Sequence, residues 1–211
     1  MVLQSRTIKL QTLPLPRGED APAKQVVERY RKAVNVLLYA MVFAACLTPP
    51  SAEFFSRTGR WMQLAGYICV AVAIVGRLWC GIYVFGRKTK QLCTAGPYSL
   101  CRHPLYVFSF VGGMGVAAQS GRWAVLLVFA LAFWAWYGRV IRVEDRRLRE
   151  RFGAEYARYR AAVPAILPRL RSYDAPASLT VPIREFTPLM WKGIWPMLAV
   201  AAADLLVILR T

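Results

Sequence analysis

The chain is poor in acid and in the residues that usually build metal or disulfide sites. Eleven Asp and Glu stand against 28 Lys and Arg, a formal net charge of +17 over 211 residues, and there is a single histidine. The five cysteines are odd in number and contain no C-x-x-C pair, which argues against a disulfide-built secreted domain. Cys46, Cys69 and Cys80 lie inside apolar stretches and read as reduced packing residues. Residues 1–24 lack the apolar core and small-residue cleavage site of a secretory leader. The positive charge alone would suit a nucleic-acid binder, but 57% of the residues are hydrophobic and the mean hydropathy is +0.36. A soluble basic domain spends its surface on charge and is not this apolar, and an intrinsically disordered chain is excluded on the same ground. Neither nucleic acid nor metal is expected as a partner. What remains is a membrane protein that carries its charge in the loops.

The apolar runs support that reading. They fall at 33–48, ended by Pro49-Pro50, and at 61–86, 104–118, 123–141 and 189–209. The third covers only 15 residues, about 22 Å of α-helix against a hydrocarbon core of ~30 Å. It must therefore begin partly buried in protein or in the interface. Four residues, 119–122, turn it into the next run, so the pair reads as a helical hairpin. With the N-terminus in the cytoplasm and five spans, the inner pieces 1–32, 87–103 and 139–192 hold 7, 4 and 12 of the Lys and Arg. The outer pieces hold four, Arg57, Arg60, Arg122 and Arg210. The positive-inside rule then puts the C-terminus on the outer side and the polar chemistry in the cytoplasm. The expected fold is all-α and polytopic: a segment 1–32, then one transmembrane domain over 33–211 with about five spans.

The longest polar piece, 142–163, is itself helical in pattern. Leu148, Phe152, Tyr156, Tyr159 and Val163 share one face, and Asp145–Arg149, Arg146–Glu150 and Arg151–Glu155 are opposite charges four apart. Gly153 interrupts it, and Pro164 and Pro168 follow it. A basic amphipathic helix of this kind lies readily on anionic headgroups.

Glu144 is out of place there, on the apolar face just below the end of a span. A buried carboxylate needs a cation or donors. Two readings stand: an ion pair with Arg139 or Arg142, or an outlook onto a ligand that carries an ammonium group. The second cluster is 94–106, TAGPYSLCRHPLY. Gly96-Pro97 marks a turn, His103 is pushed toward extended backbone by the proline after it, and Pro104 suits the first position of a helix. The amides near Leu105 and Tyr106 would then face out of a helix N-terminus, a site for an anion. Tyr98, His103 and Tyr106 gather around it. His103 reads either as a structural histidine or as a ligand contact.

Taken together, GPYSLCRHPLY, a hairpin, Glu144-Asp145, Leu148, Phe152-Gly153, Tyr156 and Pro164 resemble the isoprenylcysteine carboxyl methyltransferase family. These are integral-membrane enzymes that use S-adenosylmethionine and are related to phospholipid N-methyltransferases. The resemblance covers roughly 76–168. It implies that Tyr98, the unit His103-Pro104-Leu105-Tyr106 and the stretch Lys90-Gln91-Leu92-Cys93 hold the cofactor, the last through its backbone. It also implies that Glu144 takes the cofactor's amino group, while Asp145 stands where the family has a longer Glu. The family uses an arginine near this point for the substrate carboxylate, and Arg139 and Arg142 are both close, so Glu144, Arg139 and Arg142 form the expected catalytic group. The implied acceptor is the carboxylate of an S-prenylated cysteine or a similar lipid, entering from the bilayer, with the basic helix capping the cofactor pocket.

The chemistry of that cofactor agrees. It is a zwitterion with a cationic sulfur, and it asks for a carboxylate, for anion-binding donors and for aromatic faces. The strand–Gly-rich loop–helix unit of the soluble alternative is not in the sequence. Arg77, within the second run, must face the bundle or snorkel to the cytoplasmic side, and facing the site it would bind substrate. Gly112, Gly113, Gly115 and Ala117 allow close helix packing, a reading preferred to a lipid portal.

Overall fold

Ser56 starts the first helix. Its hydroxyl accepts the Gly59 N–H at 3.0 Å, a serine cap on one of the amides that a helix start leaves unpaired. Helix α1 then runs over Arg57–Val84. The computed structural model describes residues 56–84 and 91–177, all within the compact unit Val36–Thr211. The segment 1–32, the runs 33–48 and 189–209, and Lys90 lie outside the described residues.

After α1 come a one-turn helix α2, Pro97–Leu100, then α3, Pro104–Ala118, and α4, Trp123–Ala162, with a short 3-10 turn at Leu170–Ser172. No strand occurs among the described residues. Pro104 occupies the first turn of α3 after His103 at φ −123° and ψ 53°. Its lost N–H is one that a helix start does not use. Gly121, at φ 65°, turns α3 into α4, which completes the expected hairpin.

The helices are antiparallel neighbours. Near one end Gln119 Nε2 donates to the Gln63 carbonyl at 3.2 Å, so the finish of α3 meets the beginning of α1. Their backbones are in contact there: a Cβ built on Gly115 would stand 2.6 Å from the Gly66 oxygen, and one on Gly66 would stand 2.7 Å from the Gly115 oxygen. The small residues of 112–117 are thus packing residues. Helix α3 is the middle element, touching α1 on one side and α4 on the other. Phe110, Phe129 and Phe133 form an aromatic seam between α3 and α4, and the seam continues through Tyr137, stacked on Phe133 with ring centres 4.0 Å apart.

Two helices, Arg57–Val84 and Trp123–Ala162, are long and apolar enough to cross a membrane. Their outer faces carry exposed Leu64, Ile68, Val72 and Val75 on α1 and Leu127, Val128 and Leu131 on α4, a distribution that suits lipid rather than water. α3, 15 residues long, starts with a buried Pro104, as its shortness requires. Cys69, Cys80, Cys93 and Cys101 are free thiols, in line with packing roles.

The structure departs from the sequence pattern in α4. The expected span 123–141 and helix 142–163 form one element of 40 residues, continuous as far as Gly153, where φ 48° and ψ −121° break it. These angles belong to the first central position of a type II′ turn, a glycine conformation. The polar part of α4 therefore folds over at Gly153 instead of lying flat along one line.

Candidate functional site

The polar side chains collect at the end of the bundle where α1 finishes, α3 begins and α4 leaves its apolar half. The turn that feeds α3 is tightly held. Gly96 has φ 62°, and a Cβ there would run into the Tyr83 ring, so glycine is required on two counts. Ser99 Oγ donates to the Gly96 carbonyl at 2.6 Å. The residues after α4 come back over this turn: Arg102 and His103 N–H donate to the carbonyls of Pro164 and Ala165 at 2.8 and 3.1 Å, and Arg169 N–H donates to Leu100 at 3.0 Å.

Asp145 is the hub. Its Oδ1 accepts from His103 Nε2 at 2.9 Å and from the Tyr156 hydroxyl, and its Oδ2 accepts from Arg102 Nη2 at 3.3 Å. Burial would raise its pKa, but the bonds from His103 and Tyr156 and the Arg102 charge outweigh it and hold the carboxyl below the ordinary aspartate value. Ionised Asp145 can only accept, so His103 Nε2 is the donor of that pair. The same pairing, after burial, pushes the Tyr156 phenol up, so it remains a neutral donor.

Glu144, one residue earlier, is differently placed. Tyr106 donates to its Oε2 at 2.6 Å, and His103 Nδ1 lies 3.8 Å from the same oxygen. Its side chain is 34% exposed against 15% for Asp145. Asp145 is saturated by the protein, whereas Glu144 keeps an open side. Tyr106 stands between His103, nearly parallel with ring centres 5.7 Å apart, and Tyr137 at 5.0 Å, which joins the site to the aromatic seam.

Of the residues singled out in the sequence, His103, Pro104, Tyr106, Glu144 and Asp145 are brought together. Leu105 packs partly against the Cys80–Tyr83–Tyr98 cluster and offers its carbonyl to Ser109 Oγ at 2.7 Å. Several placements differ from the sequence expectation. Tyr98 is a buried core residue packed with Cys80 and Tyr83, its phenol raised by burial. His103 is buried and wedged between two carboxylates. The Tyr106 amide turns inward to the His103 carbonyl at 3.0 Å, which leaves Leu105 as the amide at the helix start. Gln91 is exposed and Leu92 half-buried, while Cys93 packs near Tyr83, its thiol donating to that residue's carbonyl at 3.5 Å.

The arginines divide. Arg139 and Arg142 are exposed and donate to Ala135 and Gly138 carbonyls of their own helix at 3.3 and 3.1 Å. Neither pairs with Glu144, whose partners are Tyr106 and His103. Arg77 does face the bundle: its Nη1 donates to Ser109 Oγ, one turn into α3. The structure adds Arg102, Tyr137, Tyr156 and Tyr159 to the residues expected around the site. Tyr159 donates to the Tyr98 carbonyl at 2.7 Å, and Arg102 Nε is buried without a partner. A signal was there for Tyr156 and Tyr159, two phenols on an apolar helical face, because buried phenols seek acceptors.

Among the described residues no three His, Cys, Asp or Glu side chains form a metal-holding group. A family model described as phospholipid methyltransferase matches residues 61–155. The chain is 38% identical over 180 residues to the cobalt-zinc-cadmium resistance protein CzcN of Cupriavidus metallidurans, covering 85% of this chain and 83% of that protein. It is 35% identical over 81 residues to the protein-S-isoprenylcysteine O-methyltransferase of Schizosaccharomyces pombe, 38% of this chain and 34% of that one. It is also 27% identical over 157 residues to a probable protein-S-isoprenylcysteine O-methyltransferase of Oryza sativa subsp. japonica, covering 72% and 82%. No solved structure matches.

Proposed function

The chain belongs to the membrane methyltransferase family that includes the phospholipid methyltransferases and the protein-S-isoprenylcysteine O-methyltransferases, and from that premise we propose that it is an S-adenosylmethionine-dependent enzyme that methylates the carboxylate of an isoprenylcysteine-like or other lipidic acceptor. The observation that carries the reading is the pair of unlike acids that α4 sets beside the start of α3: Asp145 held by three protein donors and Glu144 half-open beside Tyr106.

The residues present fit that cofactor. When bound, S-adenosylmethionine supplies an electrophilic methyl group on a cationic sulfur. Glu144 is the carboxylate for its ammonium group, Tyr106 holds that carboxylate in place, and the Leu105 amide lies at the helix start where a carboxylate is favoured. Asp145, His103 and Tyr156 fix the orientation of these groups without touching the ligand. An acceptor that is already a carboxylate needs no base, so the chain's own task is to orient the reactants and exclude water. Arg77, drawn to Ser109 in the apolar layer, is better placed for the acceptor's charge than Arg139 or Arg142, which bond to their own helix.

In this reading residues 33–211 are one methyltransferase domain of about five spans, with a core at 76–168 and an added span at 189–209. The N-terminus and site face the cytoplasm and the C-terminus lies outside. The folded-over end of α4 and the segment after it close the pocket.

Calorimetric titration of the detergent-purified protein with S-adenosylhomocysteine tests the cofactor, and base-labile methyl esters on a prenylated-cysteine substrate test the acceptor. No binding of the nucleoside would end the proposal. The description of the matching family model favours one alternative acceptor, a phospholipid amine. Methylated headgroups in lipid extracts, without base-labile esters, would select it.

A further inference from the structure

The segment that follows α4 is bound to the site turn by its backbone and exposes the side chains of residues 167–174. Between Pro164 and Asp174 five hydrogen bonds tie it down. Three are the bonds from Arg102, His103 and Arg169 already described. The others run from Gly96 N–H to the Asp174 carbonyl at 2.6 Å and from Asp174 N–H to Ser99 Oγ at 2.9 Å. Yet Leu167 and Leu170 are 80% and 78% exposed, and Arg169 and Arg171 beside them are exposed too. Two leucines on a well-anchored strap, turned away from the protein, do nothing for its core.

Depth explains them. The apolar half of α4 ends near Ile141, and Asp145 lies four residues on, about 6 Å along the helix. His103 bonds Asp145 through its ring and Ala165 through its amide, so the strap is held at that level. A headgroup layer is about 5–7 Å thick on each side of the hydrocarbon. The far end gives the same level independently: Tyr173 packs on Trp79 near the end of α1, ring centres 6.0 Å apart, as an aromatic pair does at a membrane interface. Tyr173, although packed on Trp79, is still 52% exposed. The occupant is selected by charge: from 164 to 174 the strap has Arg169 and Arg171 against one acid, Asp174 at its end, and exposed Arg149 and Arg160 line a shallow groove on α4.

We propose that residues 164–174 are an interfacial anchor for an anionic leaflet. Leu167, Leu170 and Tyr173 enter the boundary between headgroups and acyl chains, and Arg169 and Arg171 bind lipid phosphates. Through its backbone bonds to residues 96–103, the anchor makes the order of the site depend on the charge of the membrane. The inference rests on the assignment of α1 and α4 as spans and not on the cofactor or the acceptor.

The test is photocrosslinking of the full chain in nanodiscs, with benzoylphenylalanine in place of Leu170 and, separately, of Leu131 on the outer face of α4. Phospholipid adducts are expected at both positions by mass spectrometry. At Leu170, anionic lipid should be enriched over zwitterionic lipid by about fivefold for each arginine engaged, and Arg169→Glu with Arg171→Glu should abolish the enrichment. Adducts at Leu131 with none at Leu170, adducts at Leu170 to protein instead of lipid, or equal capture of both lipid types would each overturn the anchor while leaving the spans intact. Absence of lipid adducts at both positions would remove the span assignment and the anchor with it.

Discussion

The Tyr156 hydroxyl donates to Asp145 Oδ1 although the two residues are eleven apart in one helix. Along a straight α-helix that separation is about 16 Å, beyond any side-chain bond. The contact exists because α4 folds over at Gly153, and it converts a local backbone feature into the electrostatics of the site.

Gly153→Ala should therefore act at a distance. A Cβ at φ 48° and ψ −121° costs on the order of 1–3 kcal/mol, although nothing crowds the position. The variant is expected to melt earlier in detergent and to bind S-adenosylhomocysteine more weakly. Unaltered melting and binding would show that the bend does not hold Tyr156 against Asp145.

Neighbouring acids should fail in different ways. Glu144→Gln keeps the fold and is expected to lose more than about tenfold in nucleoside affinity, since an ion-paired hydrogen bond becomes a neutral one. Asp145→Ala strips the acceptor from Arg102, His103 and Tyr156, and leaving such buried donors unpaired costs about 1–3 kcal/mol each. Its main effect should be on stability. Melting curves with calorimetry separate the two, and a reversed pattern would exchange their roles.

Acid should unfold the protein partly through Asp145. Its carboxyl is held below the ordinary value of 3.8 in the folded state, so the ionised form is favoured by folding. That contribution is present in full above 3.8 and is lost as pH falls through the lower, folded value. Asp145→Asn should flatten the acid limb of a plot of melting temperature against pH. An acid limb as steep as the wild type's would mean that other carboxyls carry it.

Two glycines of equal size should respond in opposite directions. Gly115→Ala drives a methyl against the Gly66 carbonyl, and overpacking of this kind costs about 1–3 kcal/mol. Gly138→Ala meets nothing within 4 Å and should gain up to about 1 kcal/mol of helix propensity. Thermal unfolding of the two side by side checks the contact of α1 with α3.

Helix placement among the described residues, the hairpin turn and the proline start of α3 could be read along the chain, because they depend on periodicity, on the stiffness of proline and on residues close in sequence. The meeting of 96–106 with Glu144-Asp145 was implied only by the motif resemblance. Which acid would be saturated could not be read. Glu144 and Asp145 are chemically alike and adjacent, and the choice falls to partners 42 and 11 residues away, His103 and Tyr156. The same holds for Tyr98, whose apolar ring suits a ligand face or a core equally well until Cys80 and Tyr83 close over it. It holds for Arg139 and Arg142, near Glu144 in number but turned onto their own helix.

What the sequence determined by itself is the class of molecule: an apolar, basic, helical membrane chain with a histidine–proline bend and a pair of acids. Those follow from composition and local spacing, which act through solvent and through neighbours a few residues away. Only tertiary structure decided which acid is left open, which tyrosine reaches it and where the chain returns after α4. Those depend on long-range packing and on one glycine's backbone angles, and neither leaves a periodic trace in the sequence.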